Sequence, residues 1–80
     1  MEQKENEYNY SVICYDKDDK PNLTYSYSFI LLDDAKDIFD VYSKIDEDLY
    51  FNNITKVVLT NDKEMQLLDV HFVEHEEVIQ

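Results

Sequence analysis

The sequence has no glycine, no tryptophan and no arginine, and it holds a single proline and a single cysteine. Without glycine, any turn that needs a left-handed residue has to use asparagine or aspartate, the other types that tolerate that geometry best. Cys14 has no second cysteine to pair with, so a domain of 80 residues must be held together by its hydrophobic core alone. The longest apolar run, Phe29 to Leu32, falls far short of membrane-spanning length, and no charged-apolar-small leader opens the sequence. These absences point to one reduced, untethered, cytoplasmic domain over residues 1–80, with loose polar tails at 1–7 and 75–80.

Positive charge is also scarce. Seven lysines face nineteen aspartates and glutamates, for a formal net charge of −12. Such a surface repels nucleic acid and anionic lipid and speeds encounters with basic proteins. High charge with low hydrophobicity can mean disorder, but seven tyrosines, four phenylalanines and many β-branched residues give this chain a core to bury.

Catalytic signatures are missing too: there is no phosphate loop, no nucleophile with its base and no metal set, so neither an enzyme nor a cofactor is expected. Asp16-Lys17-Asp18-Asp19 opens like a calcium loop. Lys20, Pro21 and Tyr27 then stand where an oxygen ligand, the turn glycine and the bidentate glutamate belong. His71 and His75 are four residues apart in a stretch read as a strand, where that spacing covers about 13 Å, too far for one ion. Cys14, His71 and Asp69 could form a nucleophilic set only if the fold joined them, and a strand cysteine is more often packing. The Asn-X-Ser/Thr matches at Asn9, Asn22 and Asn53 carry little weight without a secretion signal.

The periodicity of what is present predicts β-β-α-β-β, an α+β domain with one helix packed on a four-stranded, mainly antiparallel sheet. Tyr8 to Tyr15 alternates and reads as strand one, followed by the polar turn Asp16 to Asn22 with Pro21 beginning a bend. Leu23 to Leu31 alternates most cleanly, with Leu23, Tyr25, Tyr27, Phe29 and Leu31 on one face, and reads as strand two of a hairpin. From Leu31 to Ile45 the period becomes helical, with Ala35, Ile38, Phe39, Tyr42 and Ile45 on the inner side and Asp33 or Asp34 as the cap. Asp46 to Asn53 reads as the return loop, pinned by Leu49, Tyr50 and Phe51. Ile54 to Thr60 is strand three, Asn61-Asp62 a turn, and Glu64 to Glu74 strand four with Leu68, Val70 and Phe72 inward.

The candidate site is the outer side of the helix. Asp33, Asp37, Asp40 and Glu47 recur at three-to-four-residue steps and their multiples, which stacks carboxylates ~5–6 Å apart, close to the interval between successive phosphates on a DNA strand. Most solvated helix faces are charged, so a stripe alone says little. Here the excess continues in Asp16, Asp18, Asp19, Asp46, Asp48, Glu74, Glu76 and Glu77, and self-repulsion on that scale costs stability. Tyr42, beside Phe39, has the large apolar body and polar tip of an interface anchor. Tyr25 and Tyr27 read as core or dimer contacts.

The segment from Tyr10 to Leu59 resembles the small acidic uracil-DNA glycosylase inhibitors of some Bacillus phages. The resemblance is carried by Tyr10-Ser11-Val12, the acidic turn Asp16 to Asp19, Tyr25 and Tyr27, Ile38-Phe39-Asp40-Val41, and Lys56-Val57-Val58-Leu59. In that family a helix Phe, the acid after it and a Tyr one turn on contact the enzyme. Phe39 and Asp40 match the first two, Tyr42 falls one position early with Ser43 in the expected place, and the fourth strand and amino-terminal tail are additions. The resemblance implies a homodimer formed through the sheets and a basic DNA-binding enzyme as partner. It also implies a competitive DNA-mimic mechanism in which Asp37 and Asp40 fill phosphate-binding loops, and Phe39 and Tyr42 help line an apolar pocket for the enzyme's wedge side chain. A phage-encoded protein of this kind would act in the host cytoplasm. The same acidity also fits an anti-CRISPR or anti-restriction inhibitor of a nuclease, or an immunity or antitoxin protein neutralising a basic toxin.

Overall fold

Two runs of β-branched and aromatic residues pair antiparallel and form the centre of the sheet. In the computed structural model, which describes residues 8–74, the elements are β1 (Tyr10–Asp16), β2 (Tyr27–Phe29), α1 (Leu32–Tyr42), α2 (Asp46–Phe51), β3 (Ile54–Asn61) and β4 (Gln66–Phe72). All strand pairs are antiparallel, in the order β2-β1-β3-β4. Both helices pack on one side of the sheet, over β1, β2 and β3. The α+β architecture is as expected from the periodicity, with a second short helix added. The two tails and His75 lie outside the described residues.

Register decides which side chains share the core. Val12 faces Leu59 and Cys14 faces Val57. Cross-strand partners lie on the same face of a sheet, so these four meet Ala35, Tyr42 and Leu49 from the helices, together with Ile54, in one buried cluster. Tyr10, Phe29, Ile38, Phe39 and Ile45 pack around its rim. Cys14 is fully buried, and burial pushes its thiol up to about 12; Sγ contacts the Tyr25 carbonyl at 3.6 Å. The cysteine is a packing residue.

Two of the three left-handed turn positions use the residue types anticipated. Asp19 (φ 64°) and Asn53 (φ 67°) are left-handed, and Asp16 Oδ1 accepts the N–H groups of Asp18 (2.9 Å) and Lys20 (3.0 Å) to tighten the first turn. Met65 (φ 53°) takes the third such position in the β3–β4 turn, where an unbranched side chain stands 91% exposed. Pro21 bridges back to Tyr15.

Five expectations need correction. Strand two is not Leu23 to Leu31: only Tyr27–Phe29 pairs with β1. Asn22 captures the stretch before it, its Oδ1 accepting the Thr24 N–H and its carbonyl the Tyr25 N–H and Ser26 hydroxyl, and these local bonds compete with the ladder. Neither Asp33 nor Asp34 is the helix cap. The cap position is Leu31, in extended geometry and without a side-chain bond, and the two aspartates lie inside the first turn, where the positive end of the dipole favours them.

The helix also ends at Tyr42 rather than Ile45. Ser43 Oγ donates to the Asp40 carbonyl at 2.9 Å, and tight turns at Lys44 and Ile45 redirect the chain into α2, whose fully buried Leu49 docks it. Of the three residues expected to pin that segment, only Leu49 is buried, with Phe51 65% and Tyr50 39% exposed. Finally, Val70 and Phe72 do not face the core. A bulge lets Thr60 face Leu67 while Leu59 faces Asp69, leaving Leu68 as the extra residue and putting Asp69 and His71 on the helix side.

The other side of the sheet is uncovered among the described residues. Ile13, Tyr15, Val58, Val70 and Phe72 share it with Ser11, Ser28, Thr60 and Lys56. The carboxylates that reach its border are engaged: Asp62 accepts from Ser11 Oγ and from Thr60 Oγ1 (2.6 Å), and Asp19 pairs with Lys56 at 3.6 Å. Lys56 Nζ also lies 4.8 Å from the centre of the Tyr15 ring.

Candidate functional site

An α-helix turns about 100° per residue, so Asp33, Asp37, Asp40 and Lys44 fall within about 60° of arc on α1 and the turn after it. Ala35, Ile38, Phe39 and Tyr42 occupy the opposite ~100°. Burial follows that division: Ala35 and Tyr42 are buried, Ile38 and Phe39 half-buried, and Asp33, Asp37 and Asp40 exposed. The helix therefore presents three carboxylates along about 10 Å of its axis, supported from behind by the core. Lys36 lies to one side of the line, and Lys44 pairs with Asp40 at 3.0 Å, both side chains largely in solvent. Such an exposed i,i+4 pair contributes little stability and leaves Asp40 available to a stronger cationic partner.

Glu47 is separated from this line. It is exposed, but it sits in the first turn of α2 with Asp46 and Asp48, because α1 ends before the stripe can reach it. Tyr42 is placed in the core at 8% exposure. Its ring meets Tyr25 edge-on at 6.3 Å and its hydroxyl donates to the Tyr25 carbonyl at 2.8 Å. Burial, followed by Cys14, Tyr27 and Tyr25, pushes its phenol up to about 12. Phe39 packs against the core while keeping one flank in solvent, beside Asp40.

The fold also joins residues that the linear pattern kept apart. His71 Nε2 lies 2.7 Å from Asp46 Oδ1, and Asp46 Oδ2 accepts the Glu74 N–H at 3.1 Å. Burial raises the Asp46 pKa, but the two hydrogen bonds and the His71 charge lower it further, leaving it below the ordinary carboxylate range. His71 and Cys14 flank Val57 from opposite strands, so they do not form a nucleophilic set, and the acid that His71 engages is Asp46. The sequence signal for this pair was parity: His71 shares a face with Asp69, and that face turns toward the helices only once the bulge is placed.

Comparison of the chain with protein-family models, with curated proteins and with solved structures finds no match. No helix of the described residues is long and apolar enough to cross a membrane. What the surface can do chemically is accept hydrogen bonds and positive charge, at fixed intervals, from a rigid helix.

Proposed function

We propose that this protein is an acidic DNA-mimic inhibitor that occupies the DNA-binding cleft of a DNA-processing enzyme, with uracil-DNA glycosylase the favoured target. The observation that carries the reading is the solvent side of α1, where Asp33, Asp37 and Asp40 form one exposed line on a helix anchored by its opposite side. Clefts that grip DNA use lysines, arginines and helix N-termini aimed at phosphates. Carboxylates at a similar interval meet the same donors, and a net charge of −12 steers the encounter.

Within this reading Asp37 and Asp40 are the central phosphate substitutes, Asp33 extends the line, and Glu47 adds charge from α2. The solvent-facing flank of Phe39 supplies the apolar contact. Tyr42 takes a supporting part, holding α1 on the sheet, because its ring and hydroxyl are both engaged inside the protein.

The test is a uracil-excision assay with purified protein across a salt series. Stoichiometric inhibition that survives moderate salt is the expected result. Inactivity there, with inhibition of a restriction or CRISPR nuclease, would keep the mimicry and change the target. Inactivity against every DNA-processing enzyme tried would overturn the proposal.

A further inference from the structure

β4 is an edge strand, and the backbone groups along its outer side are where another chain could extend the sheet. Register identifies them. The Val73 N–H donates to Thr55 O at 2.9 Å, so the amides on either side of it, Phe72 and Glu74, point away from β3, and Val70 has the parity of Phe72. Two of these three outward amides end on carboxylates: Val70 N–H on Asp69 Oδ1 at 2.8 Å, and Glu74 N–H on Asp46 Oδ2 at 3.1 Å. Asp69 belongs to β4 itself, whereas Asp46 comes from the start of α2 and is held in place through its other oxygen by His71.

We propose that Asp46 is a clasp: it fastens α2 to the end of β4 and closes the strand's outer edge, and His71 keeps it in position. The contact lies at the periphery, with the two side chains 25% and 26% exposed, so it can open without disturbing the core. The charged neighbours are mostly acidic, and Lys44, two residues before Asp46, pairs with Asp40 instead. Asp69 shares the helix-side face of β4 with His71, Glu47 and Asp48 stand beside Asp46 in the first turn of α2, Glu74 follows the strand, and β3 offers only uncharged Val57 and its neighbours Thr55 and Leu59.

The sign of the pH dependence follows. The Asp46 carboxylate is held below its ordinary range, so the clasp stays closed above that range and opens as the pH falls through the lowered Asp46 value.

Amide hydrogen exchange on the full chain tests the clasp. At neutral pH, Asp46→Ala should lower the protection factors of Val73 and Glu74 on the order of tenfold, and His71→Ala should act on the same amides, while those of Val57 and Leu59 stay within about twofold of the parent. Equal acceleration at all amides, or none at the end of β4, would overturn the proposal. In the unmodified protein, protection at Glu74 should fall in step with protonation of Asp46, followed by its carboxyl chemical shift. Protection that outlasts that protonation would overturn it as well, whatever the variants do.

Discussion

Tyr42 shows how one side chain can belong to the core and still govern the surface. It stands on the same helix as the acidic line, and its contacts with Tyr25 fix the end of α1 against the segment leading into β2. Tyr42→Phe keeps the ring and leaves the Tyr25 carbonyl with only the weak Cys14 thiol contact, so it should cost about 1 kcal/mol in denaturant unfolding. Both Tyr42 and Cys14 have pKa values raised to about 12 from ordinary values of 10.0 and 9.0. Groups shifted in this direction contribute stability that is complete below about pH 9 and is lost as the pH rises toward 12. The parent protein should therefore lose stability steeply between pH 9 and 12, and Tyr42→Phe should lose less of it over the same interval; melts across that series check both.

At the scale of elements, α1 separates two duties by face, which allows its outer face to change without loss of the fold. Asp37→Lys with Asp40→Lys should abolish inhibition in the excision assay while leaving the circular dichroism spectrum unchanged. Both side chains are exposed, and surface substitutions of this kind usually stay within about 0.5 kcal/mol each. Unchanged inhibition by this double variant would remove α1 from the mechanism. The helix was legible in the sequence because its apolar positions recur at helical spacing. Its end was not, because termination depends on Ser43 bonding the Asp40 carbonyl and on Leu49 finding space in the core. Strand two was overread for a related reason: alternation at Leu23 and Tyr25 is real, but Asn22 supplies bonds that keep those residues out of the ladder.

For the whole molecule, a net charge of −12 is a standing load and, under the proposed function, the steering field. Among the described residues the lysines that pair with carboxylates are Lys44 and Lys56, so most of the excess is left as mutual repulsion. Screening should relieve it, since the Debye length falls from about 10 Å at 0.1 M to about 3 Å at 1 M salt. Thermal stability should accordingly rise with sodium chloride over that range. A flat or falling melting temperature would mean that repulsion does not limit the fold. The same salt should slow association with a basic partner, so stability and inhibition rate are expected to move in opposite directions.

The residues alone determined the α+β class, the helical period of α1 and the outward placement of Asp33, Asp37 and Asp40. Each of these follows from local spacing, and burying an apolar stripe forces the opposite stripe outward. They also indicated that aspartate and asparagine would carry left-handed turns, as Asp19 and Asn53 do, but not that Met65 would take a third. Only the tertiary structure decided that Glu47 stands on a second helix, that the Tyr42 hydroxyl ends on the Tyr25 carbonyl, that Val70 and Phe72 lie on the uncovered side of the sheet, and that Asp46 meets His71. Those outcomes depend on one bulge, one helix end and the pairing of strands far apart in the chain. In a strand of period two, a single extra residue exchanges the two faces, and nothing in the local pattern announces it.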